Sequence, residues 1–179
     1  LESTRYDADR AEVIARAQAK GVTRMLTCGS DLSTSAQGLA LAQQYAGVYA
    51  AVGIHGHRAS SVAQEHDEQG SDSIARLADL AQQPGVVALG ELGLDYHYDL
   101  SPRQAQRLVL GHQLLLARDL DLPVVLHNRE SDEDLRAILD KAPPVRGVLH
   151  CFMGDEAMAS WALARGLYLG IAGPITFAK

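Results

Sequence analysis

The chain has 179 residues, 47% hydrophobic and 21% charged, which is enough apolar content to bury one core, so a single domain over 1–179 is expected. A formal net charge of −6 and a pI of about 5.6 argue against a broad basic surface for gripping long nucleic acid, though not against a small site for one phosphate. No run approaches the roughly 18 apolar residues of a membrane span and no signal peptide is visible, so a cytoplasmic location with no membrane partner is expected.

Short apolar runs recur along the chain. They cover 22–29, 47–55, 85–91, 122–127, 146–150 and 166–173, and their near-complete lack of polar residues suits parallel strands covered on both faces. Between them lie helical patterns. Residues 7–20 and 31–44 are alanine-rich and amphipathic, and 60–73 is polar and loop-like. Residues 101–121 open with Ser101 at the N-cap position, Pro102 at the first helical position and Gln104 where a capping box places its acceptor. Leu110, Leu114 and Ala117 then form one apolar stripe. Ser131 and Asp134 repeat the capping-box spacing ahead of Leu135, Ile138 and Leu139. Gly21, Gly47, Gly85, Gly147 and Gly166 stand at or just before strand starts, as glycines that end helices do. Six strands alternating with helices give either a doubly wound open sheet or a (β/α)8 barrel. No G-x-G-x-x-G or P-loop follows any strand, which removes the best argument for a nucleotide-binding open sheet.

The polar residues decide between the two. Four runs end on a side chain that binds a metal or a proton: His55, Glu91, His127 and His150. In a βα barrel every C-terminal strand end opens on the face that holds the active site. Glu91, His127 and His150 come from three successive strands and are expected to converge there. A carboxylate with two imidazoles suits zinc, manganese or a similar divalent ion, with Glu91 bridging two ions. A lone histidine at a strand end is more often a hydrogen-bonded loop residue, but three such strand ends in one chain favour a metal site.

The segments "AAVGIHGH", "GELGLDYHYD", "QRLVLGHQLLLA", "LPVVLHNRE", "GVLHCFMGDE" and "GLYLGIAGPITF" resemble, in that order, the TatD-type metal-dependent deoxyribonucleases. The resemblance implies a (β/α)8 TIM barrel of the amidohydrolase type with two divalent metal ions (Mg, Mn or Zn) at its mouth. By position Glu91 corresponds to the family's bridging carboxylate, and His127 and His150 to ligands of the second ion. His55 and Arg129 are then expected near the substrate phosphate. Gly56 stands where the family usually has proline, Leu110 where phenylalanine is common, and Asn128 to Ser131 where Ser-Arg-Asp-Ala is typical. The family's opening H-x-H would precede Leu1 and its last aspartate ligand would follow Lys179. The barrel is therefore expected to be incomplete, with ligands for only one ion, and these 179 residues alone are expected to hydrolyse DNA poorly or not at all.

The expected activity is phosphodiester hydrolysis of DNA, short or single-stranded or at ends, by a monomer. Two alternatives stay open: another hydrolase of an amide, ester or lactone on the same barrel, and for these residues alone a non-catalytic remnant. His57, Asp95 and Tyr96 are expected to line the cleft or support the ligands, Asp95 either orienting a ligand or capping a turn. His97 and His66 read as loop residues, His112 as surface and Trp161 as core. Cys28 and Cys151 read as reduced thiols. Arg129 either pairs with Glu130 or Asp132 in a loop or aims its guanidinium into the cleft.

Overall fold

The computed structural model describes residues 1–62 and 72–177; His66 and most of the expected loop over 60–73 lie outside them. Six strands, β1 (Met25–Cys28), β2 (Val48–Val52), β3 (Val86–Asp95), β4 (Val124–Arg129), β5 (Gly147–Leu149) and β6 (Leu167–Leu169), form one sheet in sequential order. Every neighbouring pair is parallel. The helices α1 (Arg10–Ala19), α2 (Leu32–Gln44), α3 (Asp72–Ala81), α4 (Arg103–Asp119), α5 (Asp132–Lys141) and α6 (Glu156–Ala164) alternate with them. This is a run of βα units in barrel order, with the sheet open between β1 and β6.

The apolar runs are parallel strands as their composition requires, but the helices cover only the outer face, and the inner face is buried only in part. On the outer face Leu89, Leu92, Leu94, Leu110, Leu114, Leu126, Leu135 and Leu139 make the main core. On the inner face the small side chains Ala51, Ala88 and Val125 pack with Cys28 and Val148. By alternation Leu26, Tyr49 and Tyr168 share that inner face and are 44%, 37% and 77% exposed.

Four of the glycines expected to end helices, Gly21, Gly47, Gly85 and Gly166, have positive φ, whereas Gly147 is simply the first residue of β5. Neither serine makes a side-chain capping hydrogen bond to its helix. Ser101 precedes the N-cap Pro102 of α4, and its hydroxyl is buried between His57 and Ser60 instead, donating to the His57 carbonyl at 2.9 Å. Ser131 does start α5, but its hydroxyl donates to Leu94 O and Asn128 Oδ1, while Asp134 turns to Tyr96 and Arg107. In both cases a buried hydroxyl has a better-placed tertiary acceptor than its own helix, and local spacing cannot report that.

The capping box in use is at α2, where Asp31 accepts from the Thr34 amide and the Thr34 side chain bonds back to the Asp31 backbone. Burial pushes the Asp31 carboxyl up, but the Thr34 hydrogen bonds and the nearby Arg58 outweigh it and hold the group below its ordinary 3.8. A group whose folded pKa is depressed stabilises above its unfolded pKa and loses that effect as pH falls through the folded value. Asp31→Ala should therefore cost about 1 kcal/mol in urea unfolding at pH 7, and the gap to wild type should shrink below pH 3.8.

Candidate metal centre

The site is built by two departures from regular strand geometry in β3. Between the pairs Leu89↔Val124 and Leu92↔Leu126 the strand carries one more residue than its partner, a bulge at Gly90–Glu91. Gly90 has φ +154°, and a Cβ there would sit 2.6 Å from Val125 Cβ. Gly93 has φ +146°, and a Cβ there would collide with the His127 carbonyl. Glycine at both positions lets β3 press against β4 and re-aims Glu91. β3 does not end at Glu91 but runs on to Asp95, and β4 runs past His127 to Arg129. Glu91 is thus an acid at a bulge rather than at a terminus. His55 likewise lies three residues beyond the end of β2, held by its amide to Ser30 O at 2.9 Å.

One ligand atom each from His55, Glu91 and His127 lies within 4.8 Å of the others, the one group among the described residues able to hold a metal. The expected trio had His150 in place of His55. His150 is exposed, one residue past the short β5, and stands outside this group, although its charge still helps to depress the Glu91 pKa.

His127 is held between two carboxylates, with Nδ1 at 3.0 Å from Glu91 Oε1 and Nε2 at 3.0 Å from Asp95 Oδ2. Burial would lower its pKa, but the two carboxylates outweigh that and raise it. Burial raises and His127 lowers the Glu91 pKa, with a net fall that keeps Glu91 ionised. At His55, which is 7% exposed, desolvation and the neighbouring His127 bring the pKa down to about 4, so the ring is a neutral donor at pH 7.

Asp95 is 1% exposed and does both things expected of it. Oδ1 accepts from the amides of His97 and Tyr98, closing the turn after β3, while Oδ2 faces His127. His57 Nε2 lies 3.0 Å from that same oxygen, yet is buried without a hydrogen-bond partner. Two imidazoles and a carboxylate, with a further imidazole nitrogen buried and unsatisfied beside them, fit a divalent ion such as zinc or manganese.

Two positioning residues are not singled out by the sequence. Gln106 and Gln113, both fully buried on α4, hold the loops that carry the ligands. Gln113 exchanges two hydrogen bonds with the backbone of Ile54, next to His55. Gln106 accepts from the Asp95 amide and donates to Asp95 O and Ser101 O. Their signal was present: two amides seven residues apart on the same face as Leu110 and Leu114.

Tyr96 donates to Asp134 at 2.5 Å beneath the Arg103 guanidinium, 4.2 Å from its ring centre, and lines the larger cavity. His97 takes Glu130 at 2.7 Å. Arg129 makes no ion pair among the described residues. It lies 4.8 Å over the Tyr98 ring and lines the same cavity, so neither Glu130 nor Asp132 holds it. Trp161 packs against the core edge between Arg136 and Arg165, and His112 is half-buried rather than fully exposed. No helix among the described residues is long and apolar enough to cross a membrane.

A histidine–carboxylate cluster at the C-terminal ends of a parallel βα sheet defines the class of metal-dependent hydrolases built on a TIM barrel. Within that class the chain belongs to the TatD related DNase family, whose model matches residues 1–179. It is 37% identical over 179 residues to the uncharacterized metal-dependent hydrolase YabD of Bacillus subtilis, covering 99% of this chain and 68% of that protein. It is 44% identical over 177 residues to the 3'-5' ssDNA/RNA exonuclease TatD of Cronobacter turicensis, covering 97% and 64%. The crystal structure of YJJV, a TatD homolog from Escherichia coli K12, superposes with a TM-score of 0.83 at 31% identity, covering 98% of this chain and 66% of that one. The chain thus spans about two thirds of the length of these relatives.

Asp95→Asn keeps the turn-closing oxygen but removes the charge facing His127. Titration calorimetry with Mn or Zn should show an affinity loss of roughly 10–100-fold with unfolding stability changed far less. Cys28 offers a second check on the same electrostatics. Burial, then the Glu91 and Glu2 carboxylates, push its thiol up to about 12. Iodoacetamide at pH 8 should label Cys28 far more slowly than a free thiol, and Glu91→Gln should speed the labelling.

Proposed function

We propose that the protein, at full length, is a divalent-metal-dependent phosphodiesterase that acts on single-stranded DNA, entered as short strands or ends. The observation that carries this reading is Glu91, ionised and bonded to His127, in the electrostatic field of His55 and His150 as well, beside a cavity of about 980 Å³ lined by Arg129, an arginine with no ion pair among the described residues. A carboxylate among imidazoles of separate strands suits a bridging role. Similarity to a protein named as a 3'-5' ssDNA/RNA exonuclease supports a nucleic-acid substrate.

In this reading His55, Glu91 and His127 would hold one ion, and Glu91 with the exposed His150 would face a second. Bound there, a pair of Mg, Mn or Zn ions would acidify a water and offset charge on the attacking and leaving oxygens. The remaining chemistry belongs to the chain. Asp95 fixes the His127 ring and stabilises its charge while no metal is bound. His55 stays neutral, its Nδ1 accepting from the His57 amide at 3.1 Å, a bond that an ion would have to replace. Arg129 presents two parallel N–H groups to two phosphate oxygens, which a lysine cannot match. The acidic surface favours a strand end over a long duplex.

Full-length protein incubated with end-labelled single-stranded DNA should release nucleotides, and a chelator should stop it. Cleavage of esters or amides alone would sink the reading. His127→Ala should lose metal together with activity. Arg129→Lys should keep its metal content and lose about tenfold in kcat/KM, equivalent to about 1.4 kcal/mol of transition-state stabilisation. Unchanged Arg129→Lys kinetics at low and high salt would make Arg129 a surface charge only.

A further inference from the structure

The metal cluster sits between two cavities, and His127 lines both. Their chemistry differs. The larger holds Arg103 and Arg129 against Glu130, Asp132, Glu133, Asp134 and Asp155, with the apolar Met153, Pro174 and Phe177 at its rim. The smaller, about 610 Å³, is lined by Ser30, Ser60, Ser61, Arg58, His55 and His57, and its one carboxylate among the described residues is Glu91 itself.

Arg58 is the cation of that smaller cavity. Its side chain is 63% exposed, and its single ion pair among the described residues is a loose one, 3.7 Å to Asp31 Oδ2. None of its guanidinium donors makes a hydrogen bond among the described residues. The backbone beneath it is firmly placed. The Arg58 amide donates to His55 O at 2.8 Å, and its carbonyl accepts from Ser61 Oγ at 2.9 Å. The stem of this arginine therefore starts three residues from His55, on a 3-10 turn (Gly56–Arg58) closed by His55 itself. Arginines elsewhere in the molecule are mostly engaged: Arg103 with Asp99, Arg107 with Asp134, Arg146 with Asp121 and Arg165 with Asp140.

We infer that Arg58 is a second phosphate-binding residue, taking the internucleotide phosphate next to the scissile one, so that the continuing strand leaves through the smaller cavity. The inference rests on the phosphodiesterase reading above. A polyanion entering the larger cavity would face five carboxylates against two arginines, a costly arrangement away from Arg129. Among the described residues of the smaller cavity the strand meets a cation, three hydroxyls and no carboxylate beyond the ligand. The larger cavity then takes the terminal nucleoside, whose base and sugar carry no charge and tolerate its apolar and hydrogen-bond-accepting walls. Arg58 thereby sets a preference for substrates with at least two consecutive phosphates.

The test compares two substrates of full-length protein: a single-stranded DNA oligonucleotide, with many phosphates, and bis(4-nitrophenyl) phosphate, with one. Arg58→Ala should raise KM for the oligonucleotide about tenfold with little change in kcat, and lose far less on the one-phosphate ester. The salt dependence of oligonucleotide KM should flatten by about one phosphate contact, a slope change near 0.7 for single strands. Arg58→Lys should recover part of the loss, and metal content should stay at the wild-type level in both. Equal losses on the two substrates, or an unchanged oligonucleotide KM, would overturn the assignment while leaving the phosphodiesterase reading intact. Wild-type protein that hydrolyses neither substrate removes both.

Discussion

The site depends on one buried carboxylate. Asp95 is nearly inaccessible to water, and a charge so placed must have every lone pair answered by the protein. Two amides of its own turn answer one oxygen, and His127 from the next strand answers the other, with a His57 nitrogen at the same distance. Because those partners come from the end of β3, from β4 and from the loop after β2, satisfying Asp95 brings three chain segments into fixed relation. The metal-binding donors are then arranged largely before any ion arrives. That limits the ordering an ion must impose.

Around this hub the fold spends polar groups inside its core where apolar ones would pack as well. Gln113 ties the backbone just before His55, and Gln106 ties the backbone of Asp95. Both reach from α4, which is otherwise anchored by Leu110, Leu114 and Ala117. A buried amide left without partners would be costly, so each glutamine accepts few positions of the loop opposite it. The helix on the outside of the sheet thus controls the ligands at its edge. Ser101 and Ser131 act in the same way, bonding across to the His57 turn and to Leu94 rather than to their own helices.

The electrostatics of the cluster follow from that packing. His55 and His127 are neighbouring imidazoles with ring centres 4.5 Å apart, yet their pKa values move in opposite directions. Desolvation and the charge of its neighbour neutralise His55, while two carboxylates in contact hold the proton on His127. The result is one neutral imidazole and one whose protonated form is favoured, both beside an ionised Glu91.

The alternation of apolar runs with helical segments by itself determined the parallel βα architecture, because strands covered by helices must be apolar and residues of one stripe must recur at helical spacing. It also put His55, Glu91, His127 and His150 among the candidates, since several apolar runs of one chain each ending on an acid or imidazole outweigh the bland use of any single one, with Asp95 beside them as a ligand support or a turn cap. Tertiary structure decided which of these meet. His55 joins Glu91 and His127 because the loop after β2 is bonded to Ser30 and Gln113, contacts far away in sequence. Glu91 points into the site because a bulge at Gly90 turns it, a two-strand property that no one-strand pattern contains. Arg58 was unremarkable in sequence, and Gln106 and Gln113 showed only as two amides on an apolar helix face, for the same reason: each takes its meaning from what lies opposite it, and only the folded chain supplies that.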